Sequence, residues 1–390
     1  MKTTANTLKA LDGARVVLPR KDPRRCEVRV LRARTLEKMK RREEAWKFFE
    51  QALDCSGDSL AVATFSGGRN RLRAGALDRA IELLTQHIET FGDRTTADDA
   101  TVLLSQAYRK KGEHERADGL LLDQLGKWPE GDMVDEATWA LVWPRVQSGS
   151  WEEVVTMADQ VIDRAPRETT YRAEGRVGYW RARSLSILDR HEEAREGYRE
   201  VLNSFPLSWY ALLAHARLRE SSPELAETAL RGAIAQSAPA PDPLVKIPEA
   251  AWSNDHFRRG IELLRLGLDK AAARELKAAD IPVGTSDART LKWIRAALFD
   301  RVGVHDRAVS LTRPLEPSFG AAWPVGYHRQ LWEISHPRGY RPLVERWAET
   351  REIDPHWVWS IIREESGFNA DIESWANAIG LMQIIMPTAK

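Results

Sequence analysis

The second helices of several pairs share an anchor pattern, a small residue followed four positions on by a large apolar one: Ala45/Phe49, Ala80/Leu84, Ala117/Leu121 and Ala194/Tyr198. Positions four apart share one face of an α-helix. Each pair therefore predicts a place where a second helix approaches over the small residue while the large one fills the groove beside it. The first three small residues stand 35 (45 to 80) and 37 (80 to 117) positions apart. That spacing suits one helix–turn–helix unit, and such units bury their faces only by stacking on one another. The windows 31–53, 70–91, 257–277 and 290–299 carry apolar residues three and four apart and predict amphipathic helices. No run of alternating strands intervenes. The expected fold is all-α, an array of helical hairpins wound into a superhelical solenoid.

The spacing resembles the tetratricopeptide period of about 34, slightly stretched. The segment DRHEEAREGYREVLNSFP puts Ala194, Tyr198 and Pro206 where that repeat has them. An array of this kind, taken alone, predicts a scaffold that binds other proteins. The prolines and small residues of 236–248 predict a long loop. The aromatic stretch 321–332 predicts core packing of the last repeats, with a sugar-stacking platform as the alternative.

Charge excludes one class of partner. The 58 Lys and Arg against 57 Asp and Glu leave a net charge of +1, so no basic field calls for nucleic acid. The clusters Arg20–Lys21, Arg24–Arg25 and Lys40–Arg42 are soon followed by acids and read as solvated helix faces. The two cysteines, Cys26 and Cys55, suggest neither a metal site nor a disulfide framework. The nine histidines are scattered, and His356 reads as a surface or packing residue. No segment approaches the roughly 18 apolar residues of a transmembrane segment. The N-terminal MKTTANTLKALDGARVVLPRK has no apolar core and no cleavage site, so no signal peptide is expected in it.

Chemistry concentrates near the C-terminal end. In DPHWVWSIIREES, residues 354–366, Asp354 suits an N-cap, Pro355 the first helical position and Gly367 the residue after the helix. Val358, Ile361, Ile362 and Glu365 fall on one stripe, which predicts a carboxyl on the apolar side at the helix's negative end. Burial and the helix dipole would both favour its protonated form, as the departure of a glycosidic oxygen requires. The plainer reading is a helix-end glutamate satisfied by nearby backbone. Glu364 is expected to face solvent. In SWANAIGLMQIIMPTA, residues 374–389, a tight turn is expected to lead into a helix starting at GLMQ, with Gln383 offering an amide to a sugar.

Together these two segments resemble the opening of the soluble lytic transglycosylase catalytic domain: a helix ending in Arg-x-Glu-Ser, a small-residue loop, then Gly-Leu-Met-Gln. Here they are Arg363-Glu364-Glu365-Ser366, Ser374, Ala378 and Gly380-Leu381-Met382-Gln383. The helical stretches YWRARSL, FPLSWYALLAHARL and RGIELLRLGLDKAAARELK are similar to that family's repeat region. The resemblance implies that Glu365 is the acid/base and that Ser374, Met382 and Gln383 line a saccharide groove. Ser366, Gly367 and Gly380 would shape the site. The sequence departs from the pattern at Asn377, where the family usually has glycine, and at Pro387, one residue late.

The implied organisation is a repeat domain over 1–345 and the first part of a lysozyme-like lobe over 346–390. The implied reaction cleaves the β-1,4 bond between N-acetylmuramic acid and N-acetylglucosamine and leaves a 1,6-anhydromuramyl end. No metal and no organic cofactor is implied. The partners would be peptidoglycan glycan strands, and other cell-wall proteins through the repeats, in the periplasm. A chain holding only one wall of the groove is expected to be inactive alone. The competing reading is a non-catalytic helical scaffold that binds proteins or glycan.

Overall fold

The computed structural model describes residues 2–19, 22–129, 131–165, 174–236, 247–281, 285–318 and 322–389. They are helical almost throughout. The only β pairing among them is two isolated bridges, Glu373–Ile379 and Ile379–Ile384. The chain divides into two compact units, Met1–Glu200 and Val201–Lys390.

In the first unit, Arg24–Lys38 pairs with Arg42–Ala52, Gly57–Arg73 with Leu77–Phe91, and Ala97–Lys110 with His114–Lys127. Val134–Ser148, Trp151–Arg164 and Arg176–Ile187 continue the series. All four anchor pairs are buried, and Ala45, Phe49, Ala80, Leu84, Ala117 and Leu121 are completely so. Full burial of a side chain such as Leu84 is worth roughly 1.5–3 kcal/mol, so these contacts dominate the stacking. Gly68 faces Leu84 so closely that a Cβ there would lie 2.7 Å from Leu84 Cγ.

The hairpins share one turn. Lys40, Gly75, Gly112, Gly149 and Asp189 in the first unit, and Gly267 and Gly303 in the second, all have φ between +60° and +83°. At each, the next residue's N–H reaches back five positions: Arg41 to Leu36 O, Ala76 to Arg71 O, Glu113 to Tyr108 O, and likewise on to Val304 and Phe299 O at 2.8 Å. This is the Schellman closure, which satisfies carbonyls the helix end would leave orphaned. It also corrects the sequence reading. Windows 31–53, 70–91 and 257–277 are each two helices, broken at Lys40, Gly75 and Gly267. Apolar periodicity runs on across so short a turn and conceals it.

A second correction concerns the cysteines. Cys26 and Cys55 form a disulfide, with Sγ–Sγ 2.00 Å and Cα–Cα 6.0 Å. Cys26 lies in Arg24–Lys38 and Cys55 just past Arg42–Ala52. Antiparallel pairing of these helices returns the chain to its starting end, so residues 29 apart meet.

In the second unit, Trp209–Ser221 packs on Pro223–Gln236, Asp255–Arg265 on Asp269–Ala278, and Thr285–Arg301 on His305–Thr312. The loop expected at 236–248 lies almost wholly outside the described residues. Of the aromatic stretch, Trp323 is buried in a core with Leu202, Ala211 and Ala233, as packing of the last repeats requires. Trp332 is only half-buried. Helices Tyr327–Ser335, Arg341–Thr350 and Pro355–Glu365 follow. No described helix is long and apolar enough to cross a membrane.

Candidate active site

The helix Pro355–Glu365 is set at both ends by its own sequence. Asp354 Oδ1 accepts from the backbone N–H of His356 at 2.8 Å, and Pro355 takes the first position. At the other end Gly367 has φ +55°, and Ser366 Oγ donates to Ile362 O at 3.0 Å. Ser366 and Gly367 thus finish the helix immediately after Glu365.

Its buried face is Trp359, Ile362 and Arg363, continued by Ser366. Trp359 Nε1 donates to Gly339 O at 3.0 Å, and Arg363 Nε donates to Ser335 O at 3.2 Å. Val309, Val344 and Phe368 close the core, with Val358, Leu381 and Met382 packed on its margin. Arg363 Nη1 also donates to Glu364 Oε1, and Arg313 Nη2 to Glu364 Oε2, both at 2.7 Å. Glu364 is exposed, as expected, yet doubly paired, and Arg313 carries no sequence signal for that role.

Glu365 is exposed. The expected apolar stripe is rotated from the real one: Val358 is half-buried and Ile361 is 41% exposed. The covering side chains approach from the Trp359 side, so a stripe drawn from the sequence missed the contact face. Glu365 instead continues an exposed row with Ile361 and Trp357, four and eight residues back.

A cleft of about 960 Å³ lies beside the same helix and is lined by Trp332, His336, Arg338, His356, Ser360 and Glu364 among others. At 3.6 residues per turn Glu365 points about 180° away from His356, so its carboxyl does not open into that cleft. His336 stacks on Trp332 at 4.5 Å, and burial beside Arg363 takes its pKa down to about 4.

Residues 366–385 fold back as a chain of turns. Ser374 Oγ accepts from the N–H of Ala376 at 3.2 Å and of Ala378 at 3.0 Å. Asn377 has φ +59°, a conformation asparagine tolerates better than most residues, so it stands in for the usual glycine. Gly380 has φ +76° and its N–H donates to Ile372 O. Gln383 has φ +48°, and its Nε2 donates to Ile372 O at 3.1 Å and Gly380 O at 3.0 Å. GLMQ is therefore a turn and not a helix start, because a helix admits no positive φ. The short helix comes later, at Met386–Ala389. Ser374 and Gln383 spend these hydrogen-bonding groups holding the turn, and Met382 packs on the helix. Trp375, at the tip, is 98% exposed.

Residues 342–390 match the family model described as the transglycosylase SLT domain. This segment belongs to the transglycosylase SLT domain family. Over 52 residues the chain is 46% identical to the membrane-bound lytic murein transglycosylase C of Actinobacillus pleuropneumoniae, which is 13% of this chain and 14% of that relative. The Haemophilus influenzae protein of the same name is 44% identical over 52 residues, 13% of this chain and 15% of its own length. The chain thus spans only a small part of the curated relatives it matches.

Two solved structures are similar over most of the chain. The 70 kDa soluble lytic transglycosylase SLT70 of Escherichia coli is 17% identical, covers 93% of this chain and 65% of its own, and has a TM-score of 0.38. Lytic transglycosylase Slt of Pseudomonas aeruginosa, as an inactive mutant, is 16% identical, covers 99% and 70%, and has a TM-score of 0.37. The family assignment rests on the SLT segment and not on these.

Proposed function

We propose that the protein is a peptidoglycan lytic transglycosylase. Its repeats, over 1–345, hold the glycan strand and other cell-wall proteins, and its SLT segment, over 346–390, carries the acid. The observation that supports this is Glu365 on the open side of a helix whose other side is locked by Trp359, Ile362 and Arg363, with the GLMQ turn folded against it. In the reaction the Glu365 carboxyl protonates the oxygen between N-acetylmuramic acid and N-acetylglucosamine, and the C1–O bond breaks. The resulting carboxylate takes the proton of the muramyl C6 hydroxyl as that oxygen bonds to C1. The 1,6-anhydro ring forms, no water is consumed, and Glu365 regains its proton. One carboxyl serves both steps, whereas hydrolases commonly use two. Met382 shapes the groove from the helix side. Ser374 and Gln383 act by holding the turn, and Gly380 by the φ it supplies. The Cys26–Cys55 disulfide favours an oxidising compartment, which supports the periplasm.

The row Trp357, Ile361 and Glu365 faces no second wall among the described residues, and acid catalysis needs substrate clamped against the acid. The test incubates residues 1–390, and a chain continued through a whole SLT domain, with sacculi and measures 1,6-anhydro-muropeptides by mass spectrometry. The continued chain should release them and residues 1–390 should not. In the continued chain Glu365→Gln should cost about 10²–10⁴-fold, and Glu364→Gln much less. Equal loss from both substitutions would defeat the assignment of Glu365.

A further inference from the structure

Two glutamates, Glu364 and Glu365, end the helix Pro355–Glu365. Both carboxyls sit at the helix's negative end, where unpaired carbonyls disfavour further negative charge. The last turn supplies one cation of its own, Arg363. Glu364 accepts a guanidinium N–H on each oxygen, from Arg363 Nη1 on Oε1 and from Arg313 Nη2 on Oε2, both at 2.7 Å. The Glu365 carboxyl has no hydrogen bond or ion pair among the described residues. We propose that Arg313 is a positioning residue for Glu365: by holding Glu364 it fixes the last turn of the helix and leaves the neighbouring carboxyl as the one free to move a proton. The proposal rests on the reading of Glu365 as the acid.

The supports of this helix come from earlier in the chain. Arg313 lies outside residues 342–390, the segment that matches the family model. It follows directly on the helix His305–Thr312, whose Val309 packs in one core with Trp359 and Ile362. Ser335 O accepts from Arg363 Nε, and Gly339 O from Trp359 Nε1. Those two bonds fix the buried side of the helix. Arg313 and Glu364 are both exposed, so their pair acts on the other side, at the turn where a helix frays first. The hairpin that precedes the SLT segment is thereby part of the acid's support.

The pair owes its effect to geometry more than to attraction. An isolated surface ion pair changes an equilibrium by about fivefold at most. Here Glu364 is held between two guanidinium groups, and one of them, Arg363, is buried and anchored on Ser335 O. His336, neutral above about pH 4 because it is buried beside Arg363, adds no third cation. A network of this kind restrains the carboxylate from two directions. The acid next to it then inherits a fixed backbone, and a displacement of about 1 Å at a reacting group can cost as much as 10²-fold in rate.

The test uses the chain continued through a whole SLT domain and measures kcat and KM for release of 1,6-anhydro-muropeptides from uncross-linked glycan strands. Arg313→Ala should lower kcat by about fivefold or more with KM unchanged. Arg313→Lys, which keeps the charge, should restore most of that loss. Because Arg313 acts through Glu364, Arg313→Ala should add nothing in a Glu364→Ala chain. In residues 1–390, Arg313→Ala should speed hydrogen exchange at 361–366 and leave the helix Thr285–Arg301 as protected as before. An unaltered kcat, a loss confined to KM, or a full effect of Arg313→Ala in the Glu364→Ala chain would each overturn the proposal. Glu365→Gln in the same assay separates the two readings. Release that survives it defeats the acid assignment and this proposal with it. Release lost in Glu365→Gln but unchanged in Arg313→Ala defeats this proposal alone.

Discussion

The contact between Gly68 and Leu84 lets helix stacking be tested by a change of sign. Gly68→Ala adds one methyl group in the middle of the helix Gly57–Arg73. Helix propensity favours alanine there by roughly 1 kcal/mol. Against that, the new Cβ would lie 2.7 Å from Leu84 Cγ and 2.9 Å from Leu84 Cδ2. Leu84 is fully buried and packs in a core with Ala100, Leu104, Tyr108 and Ala117, so it has little room to move. Overpacking of this kind costs roughly 1–3 kcal/mol, and the single substitution should be net destabilising by up to about 2 kcal/mol. Leu84→Ala should cost about 2–5 kcal/mol through lost burial and the cavity left behind. In the Leu84→Ala background the clash is gone and the added methyl group fills part of the cavity. Gly68→Ala should then stabilise, by about 1 kcal/mol. Hydrogen exchange of peptides covering 57–91 reads the local opening free energy that a repeat array makes relevant. A stabilising Gly68→Ala in the parent chain, or the same effect in both backgrounds, would refute the close-approach reasoning.

Acid should weaken the first unit through His87. Its ring lies 3.0 Å from Thr64 Oγ1 and 2.9 Å from Thr96 Oγ1, and burial takes its pKa from 6.5 down to about 4. The unfolded chain binds the proton from about pH 6.5 downward and the folded chain only near 4. Stability present above pH 6.5 should therefore be lost as pH falls towards 4, by about 3 kcal/mol in total. His87→Gln should remove that portion of the pH dependence in urea titrations, and an unchanged slope would count against it. Cutting the Cys26–Cys55 link by Cys26→Ser with Cys55→Ser should cost about 3–4 kcal/mol for a loop of 29 residues. Exchange in helices Arg24–Lys38 and Arg42–Ala52 should rise most, and protection unaltered there would show the link to be stabilising nothing.

Much of this protein is legible without coordinates. The helical class, the burial of Ala45, Phe49, Ala80 and Leu84, and both ends of the helix Pro355–Glu365 follow from rules that act within a few residues. Small residues admit neighbours, Asp354 accepts a backbone N–H, and Gly367 accepts a left-handed φ. The glycines at 75, 112, 149, 267 and 303 were a further available signal, since steps of 37 (75 to 112 and 112 to 149) and 36 (267 to 303) mark the Schellman turns. Lys40 and Asp189 hide two of the series, because the turn demands a φ and not a residue type.

Other features depended on what approaches from elsewhere in the chain. Periodicity puts Val358, Ile361, Ile362 and Glu365 on one stripe, but it does not say from which side Val309, Val344 and Phe368 will come. They come from the Trp359 side, and Glu365 is left exposed. The pairing of Cys26 with Cys55 needed antiparallel helices, and the pairing of Glu364 with Arg313, 51 residues away, needed the packed second unit. Sequence by itself determined what each short segment is, because propensity, capping and turn preference act over a few residues. Tertiary structure alone decided which faces meet, because burial is settled by partners distant in the chain.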